Sequence, residues 1–326
     1  MWREIIMLRK FILTAGMASL IAGLTSCAST GSETADGHIN PEFIKIELPR
    51  VVTPAEQLNM VKLSQVLGNN KLNHTQISVV MWHRAELYNR MGLDFLSVLS
   101  LLGCVNEDNQ NSDCYRDYGG SLYSHGKFLE AYDALDGAIE LSPNDNAAYF
   151  SRGLALYYGK REKMAEKDFY KIYLSDRQDP YFQLWLYFAE KASDPEKAEK
   201  NLLDRYRMIN VKDLAFGTKV LEVYLNIRSE KDLWEHIFDG TKNYIERNER
   251  LCEAYFYLGK MHLMNGEVTR ALDYFKLSRA TNVSYFLEFS NALLEIHMLD
   301  TDNEYDDIGF DEKMVNSETE KDKKGK

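Results

Sequence analysis

Apolar residues recur along this chain three and four positions apart from Thr53 to Leu299, the spacing that lays one stripe along a helix. Thr53-Pro-Ala-Glu56 has the form of a capping box, in which hydroxyl and carboxylate each serve the other's backbone, and it predicts a helix running to about Leu67. Asp179-Pro180 and Asp194-Pro195 each place proline at a first helical position behind a capping residue. Trp185, Leu186, Phe188, Leu221, Val223, Tyr224, Leu233, Ile237 and Tyr244 supply further apolar faces. No strand-like alternation of useful length interrupts the pattern, so the expected fold class is all-α.

The helical pattern itself repeats. Setting YRDYGGSLYSHGKFLEAYDALDGAIELSP above YFSRGLALYYGKREKMAEKDFYKIYLS, with Tyr115 on Tyr149, brings Gly119 onto Gly153 and Ala131 onto Ala165, an offset of 34 residues. Tyr115, Tyr118, Gly119, Leu122, Ala131, Leu135 and Pro143 follow the tetratricopeptide pattern, and Tyr149, Gly153, Leu156, Ala165 and Phe169 follow it again. Tyr255, Leu258, Gly259, Gly266, Ala271 and Phe275 give a third clear match, and Ala85, Tyr88, Gly92 and Ser97 a weaker one ahead of the others. The expected architecture is a tetratricopeptide-repeat superhelix of about four repeats, at about 78–111, 112–145, 146–179 and 252–285, with non-repeat helices from about Asp179 to Arg250. Paired helices approach closely only where a small side chain sits at the crossing, which accounts for glycine on the first helix and alanine on the second.

Two stretches resemble a phosphate-binding loop: Gly153 to Gly159-Lys160, and Gly120 to Gly126-Lys127. Such a loop needs four residues between its glycines and a hydroxyl after the lysine, so that successive N–H groups curl around a phosphate and the hydroxyl reaches the metal. Here the gap is five, and Arg161 or Phe128 follows the lysine. The Gly-Lys pairs read instead as turns between paired helices, where a glycine suits a left-handed cap.

The ends of the chain differ from its middle. Arg9 and Lys10, the apolar run FILTAGMASLIAGL and the small residues before Cys27 form a signal peptide, 1–26, that is too short to span a bilayer; Met7 is an equally good start. Leu24-Thr-Ser-Cys27 fits a bacterial lipobox, which makes Cys27 the expected lipidation site, carrying diacylglycerol and acyl chains. A plain signal peptide with an incidental cysteine is the alternative. Ala28 at the following position favours an outer-membrane lipid anchor facing the periplasm. Residues 27–52 are expected to be a flexible tether, 53–299 the helical repeat domain, and 300–326 a disordered charged tail.

With 39 basic and 50 acidic residues the net charge is -11, which argues against nucleic acid as a partner. Beyond Cys27 three cysteines remain: in an oxidising compartment Cys104 and Cys114, ten residues apart, either pair or stay free. His38, His74, His83, His125, His236, His262 and His297 are scattered, without metal-ligand spacing, and are expected on the surface or in a groove. LWEHIFDG lacks the second histidine of a zinc-protease helix, and no nucleophile elbow is present, so no enzyme, metal or cofactor is expected beyond the lipid on Cys27.

RGLALYYGKREKMAEKDF, DPYFQLWLYFAEK, FYLGKMHLMNGEVTRALDYFKLSRATNV and NALLE resemble, in order and spacing, the NlpI family of outer-membrane lipoproteins in Gram-negative bacteria. The resemblance runs from about Thr53 to Leu299 and includes the non-repeat helices. It implies a homodimeric, non-enzymatic adaptor that brings a periplasmic tail-processing protease to a peptidoglycan endopeptidase, and docks other hydrolases, controlling cell-wall turnover and division. Cys104 and Cys114, the weak first repeat and the longer charged tail depart from the family pattern and bear on partner identity. The alternative function is a structural or adhesion-related envelope lipoprotein whose repeats serve dimerisation only.

Counting from each repeat glycine, the expected partner-binding groove carries Arg116 and Tyr123 in the second repeat, Asn146, Phe150, Tyr157 and Tyr158 in the third, and Lys260 in the fourth. Aromatic and Arg side chains dominate interface energies and suit a peptide-binding face. Core or inter-repeat packing is the competing role for Phe150, Tyr157 and Tyr158.

Overall fold

A computed structural model describes residues 37–69, 71–210 and 216–300. The signal peptide, Cys27, the first part of the tether and the tail from 301 lie outside the described residues. The chain divides into two units. In the first, up to Ile44, the described residues hold one 3-10 turn, Pro41–Phe43, started by Asn40, whose side chain accepts from the Glu42 amide at 3.0 Å.

In the second unit, from Lys45, every regular element among the described residues is a helix: α1 (Pro54–Leu67), α2 (His74–Arg90), α3 (Asp94–Glu107), α4 (Ser112–Ser124), α5 (Phe128–Leu141), α6 (Asn146–Tyr158), α7 (Glu162–Ser175), α8 (Pro180–Ser193), α9 (Pro195–Tyr206), α10 (Phe216–Tyr224), α11 (Glu230–Glu235), α12 (Tyr244–Met264), α13 (Val268–Ala280) and α14 (Leu287–Leu299). The capping box forms as its sequence implies: the Thr53 amide donates to Glu56 at 2.9 Å and the Glu56 amide to the Thr53 hydroxyl at 3.2 Å.

Three repeat glycines share one geometry. A methyl group added at Gly119 would lie 2.6 Å from the Leu135 side chain, at Gly153 2.6 Å from the Phe169 ring, and at Gly259 2.6 Å from the Phe275 ring. In each case the partner stands 16 residues on, across the crossing of the first and second helices of a pair. The weak repeat uses the same crossing with Ala85 against the second helix, where the Ser97 hydroxyl donates to the Ala85 carbonyl at 2.9 Å.

Gly92, Gly126 and Gly266 all lie at φ between 73° and 80°, the left-handed region glycine reaches at no steric cost. In the third repeat the position 34 residues after Gly126 is Lys160, at φ 59°, not Gly159, at φ -75°. The expectation that Gly159 is the left-handed cap is therefore corrected. Gly159 is small because the chain is crowded there: an added methyl would sit 2.9 Å from the Ala155 carbonyl and 3.2 Å from Phe128. The two Gly-Lys pairs thus occupy different repeat positions.

Helix starts keep the same period further than the glycine motif does. Asn111, Asp145 and Asp179, 34 residues apart, cap α4, α6 and α8 by accepting from amides in each first turn, contacts worth about 1 kcal/mol each. The pair α8/α9 thereby continues the array, where the sequence pattern shows only non-repeat helices. Tyr187 stands where glycine recurs, and buried Ala198 and Leu202 each come one residue earlier than the period requires, after a turn of the single residue Asp194. Asp194 itself makes no side-chain cap to α9 and pairs with Lys197 at 2.5 Å.

Two further features depart from expectation or resolve an alternative. Residues 45–52 are pinned rather than flexible: the Tyr255 hydroxyl lies 2.7 Å from the Lys45 amide and 2.6 Å from its carbonyl, Arg247 pairs with Glu47, and the Arg50 amide donates to the Thr281 carbonyl at 3.2 Å. Cys104 and Cys114, with Cα atoms 5.8 Å apart, are joined by a disulfide that ties the end of α3 to the start of α4, and Cys252 is a buried free thiol.

Candidate interaction surface

The first helices of successive pairs, α2, α4 and α6, turn one face inward with Ser97 and Leu101 of α3 beside them, and the segment before and through the start of α14 faces them. Between them lies a cleft of about 320 Å³, with Arg116, Tyr123 and Phe150 among its lining residues and Gly120, Ser151 and Ser290 opening it. A side chain grown from Gly120 would meet no atom within 4 Å. Sequence reasoning missed Gly120 because, next to Gly119, it carries no packing role and repeats nowhere else.

Arg116 stands at the rim, committed to its own chain. It donates to Asp117 at 2.8 Å, to Asp113 at 2.5 Å and to Asp145, the cap of α6, at 3.0 Å, so it ties the second repeat to the third. Burial opposes its charge, but these three carboxylates raise its pKa above the ordinary arginine value. Arg152 does the same work one repeat along, with both forks on Asp168 at 2.8 Å and Nη1 on Asp136 at 2.7 Å. Phe150 is half-buried, its ring 5.6 to 6.3 Å from those of Phe182, Phe169 and Trp185. Asn146 is exposed at the first turn of α6 and does not line this cleft.

Tyr123 lines the cleft but is itself buried, and Tyr158 and Lys260 are buried and do not line it. Tyr123 stacks on Tyr158 with ring centres 6.4 Å apart, and the Tyr158 hydroxyl donates to Glu295 of α14 at 3.0 Å. Lys260 donates to the same carboxylate at 2.5 Å and to the half-buried Tyr157 hydroxyl at 3.1 Å, under the rings of Tyr157, Tyr158 and Phe188. Burial disfavours the Lys260 charge, and Glu295 with Tyr157 more than offsets it, so its pKa lies above the ordinary lysine value. For Tyr158, burial and then Glu295 push the hydroxyl well up. The physical reason for the displacement is that α14 occupies this part of the inner face. No repeat motif announces Glu295, which belongs to a helix outside the repeats.

Trp185 of α8 is fully buried and meets the rings of Phe150, Tyr157, Tyr158, Phe169, Phe188 and Phe256. Such offset and edge contacts favour one arrangement of the array over others. A second buried cluster joins α8, α12 and α14: the Tyr257 hydroxyl donates to Glu288 at 3.0 Å, Tyr181 stacks on Tyr257 and hydrogen-bonds Glu253. Burial and the neighbouring Glu288 push Glu253 up to about 8, and burial raises Glu288.

His262 is also buried, contrary to the expected surface or groove position. Its Nδ1 lies 2.7 Å from Glu267 and its Nε2 3.1 Å from Glu230, with the ring stacked on Tyr274. Among the described residues one trio brings metal-ligating atoms within 4.8 Å, Asp232, Glu235 and His236, and it is half or fully exposed.

A family model described as tetratricopeptide repeat matches residues 119–181, from the Gly119 crossing into the start of α8. Among solved structures, the chain is similar to a tetratricopeptide repeat protein from Parabacteroides merdae, at 17% identity over 75% of this chain and 94% of that one, with a TM-score of 0.49. It is also similar to PilF of Pseudomonas aeruginosa, at 16% identity over 66% of this chain and 87% of that one, TM-score 0.44, and to MamA, at 18% over 47% and 89%, TM-score 0.41. With its glycine crossings and 34-residue helix starts, the fold is an all-α tetratricopeptide-repeat superhelix, an architecture whose stacked faces serve protein–protein interaction.

Proposed function

We propose that this chain is a lipid-anchored periplasmic adaptor of the NlpI type, non-enzymatic and homodimeric, that docks a tail-processing protease and peptidoglycan hydrolases and so regulates cell-wall turnover and division. The observation that carries the reading is the cleft between α4, α6 and the start of α14, a recess with an open glycine, small hydroxyl side chains and a half-buried phenylalanine. Shape and polar rim of this kind suit a peptide segment of another protein better than a small reactive substrate. The Cys104–Cys114 disulfide supports an oxidising compartment. Acyl chains on Cys27 would hold the chain at the outer membrane, since two or more chains anchor stably where one does not.

Capture of a periplasmic extract on the purified chain, read by mass spectrometry, tests the reading. Recovery of a processing protease together with a peptidoglycan hydrolase is expected; recovery of neither overturns it. Substituting Cys27→Ser should release the protein from the membrane fraction, and continued membrane association would contradict the anchor.

A dimer also fits the second reading, a structural lipoprotein that serves dimerisation only. Along α1 only Glu56 is buried, while Leu58 and Val61 are 54% and 52% exposed. A second copy of the chain is the proposed cover for that face. Sedimentation of Leu58→Glu/Val61→Glu separates the readings: a monomer that still captures partners is an adaptor first, and a monomer that captures none supports the structural role.

A further inference from the structure

Among the described residues, the three most exposed large apolar side chains fall within six positions of one another. Ile46 is 82% exposed, Leu48 75% and Val51 61%. Apolar residues scattered singly over a surface are ordinary, but three together form a patch. The segment that carries them runs without regular structure up to Pro54, where α1 begins.

A loose chain would account for such exposure, and this segment is fastened. The Tyr255 hydroxyl serves both the amide and the carbonyl of Lys45, Asn248 donates to the Leu48 carbonyl, and the Arg50 amide and carbonyl meet Thr281 and Asn282. Glu47 turns inward to pair with Arg247 at 2.5 Å, and buried Arg50 holds Glu56. In extended chain, neighbouring side chains point to opposite sides, so the inward pull on Glu47 turns Ile46 and Leu48 outward. The same contacts that order the segment keep its apolar side chains in water, and the arrangement calls for a cover.

A strand of a second copy is a poor cover, because it would need free backbone along the segment. The groups of Lys45, Leu48 and Arg50 named above are already taken, and Pro49 has no amide to give. A lipid surface needs only the side chains. Between Lys45 and Leu67 the two carboxylates, Glu47 and Glu56, are each held by an arginine, so in a chain of net charge -11 this stretch drives no unpaired acid against the lipid. No helix among the described residues is long and apolar enough to cross a membrane, so the contact is with the surface of the bilayer.

We propose that Ile46, Leu48 and Val51 insert into the headgroup region of the phospholipid leaflet that holds the acyl chains of Cys27. The inference rests on the lipid-anchor reading above. Ile46 follows Cys27 by 19 positions, a length of chain that spans at most about 65 Å. Tethering within that reach makes the second contact intramolecular, so three apolar side chains suffice where they would not hold a free protein. The contact fixes which side of the helical unit faces the bilayer, which an anchor at a single residue does not do.

The test uses the mature acylated chain in vesicles of phosphatidylethanolamine and phosphatidylglycerol, with an NBD fluorophore on Leu48→Cys or, for comparison, on Leu129→Cys of α5, a position 59% exposed. The introduced thiol is labelled selectively once Cys27 is acylated, because Cys104 and Cys114 are joined and Cys252 is buried. Nitroxide groups on the lipid acyl chains should quench the label at 48 at least about threefold more than the label at 129. Adding Ile46→Glu/Val51→Glu should bring the two to one level with the circular dichroism unchanged. Equal quenching at both positions, or quenching unmoved by the two glutamates, in a chain that floats with the vesicles would overturn this contact and leave the anchor standing. A label at 48 that is shifted to the blue yet untouched by the nitroxides would show that a second copy covers the segment, which also overturns it. A chain that does not float with the vesicles would remove the anchor, and this contact with it.

Discussion

Lys260 and Glu295 meet at 2.5 Å with side chains only 4% and 5% exposed, and through them α12 of the last repeat is locked to the helix that follows the array. A buried pair of this kind adds little over a well-packed apolar pair, whereas removing one partner strands a charge. Glu295→Ala is therefore expected to cost about 3–5 kcal/mol in urea unfolding, and Lys260→Met/Glu295→Leu to recover most of the loss. A single substitution without effect would show that α14 is not held by this contact.

Neighbouring glycines of α4 should respond in opposite directions. A methyl at Gly119 meets Leu135 at 2.6 Å and the Ala131 carbonyl at 3.2 Å, so Gly119→Ala is expected to destabilise by about 1–3 kcal/mol. Gly120 has open space and a helical backbone, so Gly120→Ala should stabilise by about 0.5–1 kcal/mol. Thermal melts of the two variants check the helix crossing, which requires that only the first lose stability.

The disulfide closes a short loop between α3 and α4. From loop-closure entropy, Cys104→Ser/Cys114→Ser should lose about 2–3 kcal/mol of stability while keeping its helical content. Unchanged stability of that variant, or free thiols at both positions in the purified protein, would contradict the link.

Buried groups whose pKa is raised, Glu253, Glu288 and His262 among them, make stability fall as pH rises. Burial and Glu288 hold Glu253 up to about 8, so the folded chain keeps a proton that the unfolded chain releases near the ordinary carboxylate value. That contribution is complete in acid and is lost as pH climbs from about 4.5 toward 8. For His262 burial opposes protonation, but Glu230 and Glu267 raise its pKa, so its contribution too is present below the unfolded value and disappears as pH passes the folded one. Glu253→Gln should flatten the first part of the decline, measured as unfolding midpoint against pH, and an unaltered profile would refute the assignment.

Much of this fold is legible in the sequence because the repeat imposes spacing: Gly119, Gly153 and Gly259 are readable as crossings without coordinates. The pair α8/α9 escapes because Tyr187 replaces the glycine, while the signal that survives, a capping residue every 34 positions through Asp179, is weaker. Residues 45–52 look like a linker since their contacts, with Arg247, Tyr255 and Thr281, lie some 200 or more positions away and leave no local pattern. The groove is half legible for the same reason. Arg116 and Phe150 follow from repeat offsets, but Tyr158 and Lys260 are buried by Glu295, which comes from outside the repeats.

An adaptor role requires that a partner protein occupy the cleft between α4, α6 and the start of α14. Gly120→Gln fills that cleft from a position with no packing role, so it removes the space without disturbing the array. The most direct measurement is the dissociation constant of a captured periplasmic partner for the unmodified chain and for Gly120→Gln, by calorimetry, with melting temperatures recorded alongside. At least about a tenfold loss of affinity is expected, at a melting temperature no lower than that of the unmodified chain; an unchanged dissociation constant would rule out occupation of this cleft by the partner.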